Sequence, residues 1–101
     1  VYLDAGSYIK ETERMGQMEN VTVYSTTWCG DCRRTKRFLD EHGVSYQEID
    51  IDRDPSGEQQ VIDWSGGRRV IPTVKIECDS KPEPVILHNP PTATLSRVLG
   101  L

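Results

Sequence analysis

Apolar positions along the chain change period in an orderly way. In NVTVYST, residues 20–26, β-branched and aromatic side chains follow one another in a strand-like run. CRRTKRFLDEHG, 32–43, is cationic, carries its apolar positions at Phe38 and Leu39, and ends on the stop signal Gly43. VSYQEIDID, 44–52, alternates as a strand. After a turn-like RDPSG, the segment EQQVIDWSGG, 58–67, places Val61, Ile62 and Trp64 on one helical face, with Trp64 expected in the core, and stops at Gly66 and Gly67. Two closely spaced strands follow, PTVKIEC at 72–78 and PVILHN at 84–89; the polar loop DSKPE between them marks an antiparallel hairpin. TATLSRVLGL closes the chain as a helix, with Thr92 as its expected cap and Leu95, Val98 and Leu99 turned inward.

The order is therefore β-α-β-α-β-β-α, an α/β protein. A strand, crossover helix and strand require a parallel pair with a right-handed connection, and the hairpin adds an antiparallel edge. The expected product is a mixed four-stranded sheet with helices on both faces. Residues 1–17 show no sustained period and read as a leader or flexible N-terminal arm, with the domain spanning 18–101; a short helix from Ser7 to Met15 is the alternative.

Composition narrows the function classes. A formal charge of -4 and a pI near 5.1 leave no excess of Lys and Arg to replace phosphate counterions, which excludes a nucleic-acid binder. Hydrophobic residues at 36% and charged residues at 28% fit a globular domain, and no apolar run is long enough to span a membrane. The local basic cluster Arg33, Arg34, Lys36 and Arg37 lies on the first expected helix. Three cysteines are too few and too unevenly spaced for a secreted disulfide framework. The close pair Cys29 and Cys32 instead reads as redox or metal chemistry in the cytoplasm.

A thiol attacks only as its thiolate. Cys29 falls where the first strand gives way to a helix, and the unpaired amides and positive dipole end of a helix start stabilise an anion. Cys29 is thus expected exposed and activated, and Cys32, one turn further in, is expected to reach solvent poorly and to resolve a mixed disulfide on Cys29. Gly30 leaves room for a substrate backbone. Asp31 opposes a second negative charge there, whereas Arg33, Arg34 and Lys36 favour one, and the dipole and cations are expected to prevail.

With VYSTTWCGDC at the end of the first strand, VIPTV at 70–74 and LHNPP at 87–91, the chain resembles the glutaredoxins of the thioredoxin superfamily over residues 20–100. The resemblance implies a thioredoxin-like fold and thiol-disulfide exchange without a tightly bound cofactor. It further implies that Pro72 follows a cis bond and packs against the active cysteines, and that backbone groups of Ile71 pair with the cysteinyl part of a bound thiol. Asn89 and its neighbours would hold a thiol carboxylate, and Arg34 or Lys36 would meet the other. The W-C-G-x-C with an N-P turn is more similar to the mycoredoxins, so glutathione or mycothiol is the implied co-substrate. Protein disulfides and a low-molecular-weight thiol are the implied partners, with thioredoxin reductase as a further recycling partner and a monomer as the working state.

Two metal readings stand beside the enzyme reading. Zinc needs two ligands beyond Cys29 and Cys32, and Cys78, His42 and His88 lack paired zinc spacing. An iron-sulfur cluster shared between two subunits, as some glutaredoxins hold with glutathione, is the alternative from a different functional class. Cys78 reads as an incidental thiol, His42 as a helix-end cation and His88 as a turn residue. Trp28 is either a substrate platform or a packing residue at the rim, and Arg68 and Arg69 either meet a thiol carboxylate or are solvated.

Overall fold

The computed structural model describes residues 19–79 and 81–101, so the expected arm at 1–17 and the domain start at Met18 lie outside the described residues. The chain runs through β1 (Glu19–Ser25), α1 (Gly30–Glu41), β2 (Gln47–Asp50), α2 (Pro55–Ser65), β3 (Thr73–Cys78), β4 (Val85–His88) and α3 (Thr92–Leu99). One four-stranded sheet has the order β2-β1-β3-β4. β1 runs parallel to β2 and antiparallel to β3, which pairs antiparallel with β4. The expected mixed sheet and element order are both present.

The two-residue period of β1 divides the core in two. Val21 and Val23 pair with Ile76 and Val74 of β3, and these four pack with Leu39 of α1 and with Leu95 and Leu99 of α3. Tyr24 turns to the opposite face, where it joins Ile51 and Val61 of α2, with Ile49, Trp64 and Ile71 packed around them. Helices therefore cover both faces, and a one-residue slip of β1 would exchange the two apolar sets. At the end of α1, Gly43 takes φ 68° and the amide of Val44 returns to the Leu39 carbonyl at 2.9 Å, which closes the helix where the stop signal predicts.

Several expectations shift. α1 starts at Gly30, because the backbone turns helical directly behind Cys29. α2 starts at Pro55, so three of the five residues of the expected turn RDPSG are helix. Asp54 caps that helix by accepting from the Gly57 amide at 3.0 Å, and proline suits the first helical position because its missing N–H would have no partner there. A side chain at Gly57 would put its Cβ 2.8 Å from Ile49 Cγ2, so glycine here permits α2 to approach the sheet. Thr92 is the first residue of α3 and not its cap; Pro91 occupies the cap position with no side-chain hydrogen bond, and its carbonyl accepts from Thr94 and Leu95. β2 keeps only four residues of the expected 44–52. His88 lies in β4 and not in a turn, with Nδ1 2.9 Å from Thr73 Oγ1 on the paired strand. Trp64 is half-buried at the margin of the second cluster, its ring edge-on to Tyr24 with centroids 5.4 Å apart.

Leu39 joins α1 to the first cluster and is wholly buried. Leu39→Ala is expected to lower the unfolding free energy by about 2–5 kcal/mol, from lost transfer energy and the cavity left behind. A urea unfolding curve with an unchanged slope and a lower midpoint is the expected result.

Candidate active site

β1 ends at Ser25, and four residues later the chain enters α1 with Cys29 as its N-cap, at φ -88° and ψ 116°. Helix caps ordinarily use a side-chain oxygen to accept from an amide of the first turn. Here the sulfur does so: Cys29 Sγ accepts from the Cys32 amide at 3.0 Å. The position of the motif thus follows from helix initiation, and an N–H is aimed at the sulfur on which negative charge develops.

This bond draws Cys29 under the first turn. Contrary to the expected exposure, the residue is only 7% accessible; Cys32 is at 0%, so the order of accessibility is as expected although both residues are buried. Both are present as thiols. Burial pushes the Cys32 thiol up to about 12, reinforced by its hydrogen bond to the Cys29 side chain and opposed by the Thr26 amide, with a smaller opposing effect from the Lys36 charge.

The β-ladder brings the proline segment to the same end of the sheet. Tyr24 pairs with Thr73, so Pro72 sits one step further along, beside the strand end that leads to Cys29. Pro72 is buried, and the Ile71-Pro72 bond is cis, as the resemblance implied. The Ile71 side chain packs against the cluster on the α2 face. Asn89, at φ 45°, donates its backbone N–H to the Pro72 carbonyl at 2.6 Å. Asn89 therefore belongs to the same rim.

Arg34 and Lys36 part company. Arg34 Nη1 donates to Asp31 Oδ1 at 2.8 Å, and the second oxygen of Asp31 accepts from Asn89 Nδ2 at 3.4 Å. Lys36 turns toward β2, where its Nζ donates to Glu48 Oε2 at 2.5 Å beside a second donor, Ser25 Oγ, at 2.9 Å. The Lys36 hydrogen bond holds the Glu48 carboxyl below the usual carboxylate range. β2 and β4 are opposite edges of the sheet, so Lys36 is not brought to the Asn89 side.

On the remaining flank Trp28 is 63% exposed, and its indole Nε1 donates to Asp52 Oδ2 at 2.9 Å. Asp52 also accepts from Arg69, whose Nε donates to Glu58 Oε2 at 2.6 Å. Arg69, followed by the Trp28 indole, holds the Asp52 carboxyl below its ordinary value. Arg69 is therefore engaged by two carboxylates although, like Arg68, it is exposed. His42 is the C-cap of α1, and Cys78 is the last residue of β3. Among the described residues no group of three or more His, Cys, Asp or Glu side chains is arranged to hold a metal ion.

The sequence model described as Glutaredoxin matches residues 21–79, more than half of the chain. The chain belongs to the glutaredoxin family. Glutaredoxins are thiol-disulfide oxidoreductases, and the matched span contains both cysteines and the cis-proline. Proteins named "Putative glutaredoxin" in two strains of Mycobacterium tuberculosis are 40% identical over 55 residues, 54% of this chain and 66% of theirs. The match thus spans just under two thirds of those relatives' length. Mycoredoxin 1 of Corynebacterium glutamicum is 41% identical over 58 residues, 57% of this chain and 71% of its own. A crystal structure of a mutant of the thioredoxin-like protein BC3987 superposes with a TM-score of 0.64 at 23% identity, covering 79% of this chain and 94% of that one, which shows the thioredoxin-like fold.

The state of Cys32 in this glutaredoxin carries a pH signature. Its thiol titrates at 9.0 when unperturbed and at about 12 in the fold, so the folded state holds a proton that the unfolded chain releases. The stabilisation is complete below pH 9.0 and is lost as pH rises toward about 12. Reduced protein is therefore expected to lose melting temperature more steeply above pH 9.0 than Cys32→Ala, as measured by thermal denaturation across that range.

Proposed function

We propose that the chain is a dithiol glutaredoxin that reduces mixed disulfides between proteins and a low-molecular-weight thiol, and intramolecular protein disulfides, in the cytoplasm. The observation that carries this is the Cys32 amide donating to the sulfur of the cap residue Cys29, with Cys32 itself enclosed. No helix among the described residues is long and apolar enough to cross a membrane. The similarity to mycoredoxin 1 supports mycothiol over glutathione as the thiol.

In the proposed cycle the Cys29 thiolate attacks the small-thiol sulfur of a mixed disulfide. A Cys29–thiol disulfide forms, the original disulfide breaks, and the protein cysteine leaves as a thiolate that takes a proton from water. A second molecule of the small thiol then attacks the adduct, releasing the Cys29 thiolate and the oxidised small-thiol dimer. With an intramolecular protein disulfide, Cys29 becomes joined to the substrate and Cys32 resolves the complex, leaving a Cys29–Cys32 disulfide and two substrate thiols. The protonated Cys32 thiol first stands as a hydrogen-bond partner of Cys29. Once Cys29 is in a disulfide its negative charge is gone, and removal of the Cys32 proton no longer places two anions together. Pro72 shapes the wall of the site, and Trp28, Ile71, Asn89 and Arg34 form its rim. Lys36, on the β2 side, acts on Cys32 through charge.

The test separates the two thiols. Cys29→Ser is expected to abolish both activities, since a serine hydroxyl is scarcely ionised and leaves no nucleophile. Cys32→Ser is expected to retain reduction of mixed disulfides and to lose most reduction of intramolecular ones. The assays run with glutathione, mycothiol or thioredoxin reductase, each with its own recycling system, to identify the electron donor. Equal loss in both variants toward mixed disulfides would overturn the assigned roles, and visible absorption in anaerobically purified protein would favour a cluster carrier.

A further inference from the structure

Asp31 stands two residues beyond Cys29, in the first turn of α1, with its carboxylate shared between two donors. Arg34 Nη1 lies 2.8 Å from Oδ1, and Asn89 Nδ2 lies 3.4 Å from Oδ2. The bridge spans from α1 to the turn between β4 and α3, and that turn is fastened to Pro72 through the Asn89 amide. The Asp31 and Arg34 side chains are 47% and 53% exposed, so the bridge stands at the solvent rim and not in the core.

Other charges of the motif's surroundings are engaged as well. Arg33 donates to the Thr27 carbonyl at 3.2 Å, Lys36 is bound to Glu48, and Asp52 and Glu58 share Arg69. The cation and the amide donor that flank the motif on the Asn89 side are thus both held by a carboxylate of the chain itself. A thiol joined to Cys29 is tethered by the disulfide, so its remaining atoms lie at this rim whatever their chemistry. A thiol of tripeptide size reaches about 10 Å when extended. That is about one Debye length at 0.1 M salt, so a carboxylate anywhere on it senses the charge of Asp31.

We propose that Asp31 is a specificity-determining residue: its carboxylate occupies the rim's cation and amide donor, and so favours small thiols that lack carboxylates over those that carry them. The inference rests on the mixed-disulfide activity proposed above. An exposed ion pair is readily displaced, so the discrimination is graded. At a few ångströms in water one bare like-charge contact is worth about a fivefold effect; Arg34, 2.8 Å from Asp31, and salt screening offset part of it, so the two carboxylates together give about a two- to threefold one.

The test compares kcat/KM for two mixed disulfides built on one peptide cysteine, one with glutathione and one with glutathione diethyl ester, which lacks both carboxylates. The unmodified protein is expected to prefer the ester by about two- to threefold at low salt, with the preference shrinking at high salt. Asp31→Asn keeps the side-chain shape, removes the charge and releases Arg34, so the ester-to-acid ratio is expected to fall to about one or below. Arg34→Gln leaves Asp31 without its cation and is expected to widen the ratio. An unchanged ratio in Asp31→Asn overturns the inference and leaves the reductase activity standing. Turnover of neither substrate by the unmodified protein overturns the proposed activity and this inference with it. If Asp31→Asn does not fold by circular dichroism, a ratio that neither salt nor Arg34→Gln moves is the overturning result.

Discussion

The hydrogen bond from the Cys32 amide to the Cys29 sulfur fixes the start of α1 and the geometry of the thiol pair in one contact. Helix initiation leaves amides without partners, and a cap must supply an acceptor. With sulfur in that role, the demand of the backbone and the demand of the chemistry coincide. Cys32 then falls one turn inward, where the packing of α1 on the sheet removes it from water. The difference between the two thiols is accordingly a property of where a helix begins, and the side chains around it refine that difference.

Everything else brings components to that point. The central place of β1 delivers the motif from the middle of the sheet, with β3 returning Pro72 to the same end. α1 and α3 close one face and α2 the other, so the end of β1 projects from a core packed on both sides. The rim is divided in two: Asp31 joins Arg34 and Asn89 on one flank, while Trp28, Asp52, Arg69 and Glu58 form a chain of contacts on the other. Most of the formal charge near the cysteines is internally matched, and the Trp28 indole is the large apolar side chain exposed beside them.

The elements were largely legible because each depends on local period: the β-branched run of β1, the Gly43 stop of α1 and the paired strands of the hairpin all show in neighbouring residues. The start of α2 was hidden because Asp54, Pro55, Ser56 and Gly57 are turn formers as well as a cap, a first-turn proline and a close-approach glycine. Trp64 read as core because its helical face was right; its position near the end of α2 leaves it only half covered. Cys29 and Cys32 stand out in the sequence because their relation spans three residues, and Pro72 and Asn89 through the resemblance to glutaredoxins. The bond of Trp28 to Asp52 joins residues 24 apart, and that of Asn89 to Asp31 joins residues 58 apart. No one-dimensional spacing encodes such pairs; the sheet order creates them. The same holds for Lys36, whose place beside Glu48 and apart from Arg34 follows from β2 and β4 lying at opposite edges of the sheet.

The two tryptophans occupy opposite optical situations. Trp64 lies edge-on to Tyr24 against the α2 face, while Trp28 stands in solvent next to Cys29 with its indole N–H held by Asp52. One indole therefore follows the packing of α2 and the other follows the neighbourhood of Cys29. The chain carries two tryptophan fluorophores, and with one of them substituted the emission of the other reports the packing of α2 in one case and the surroundings of Cys29 in the other.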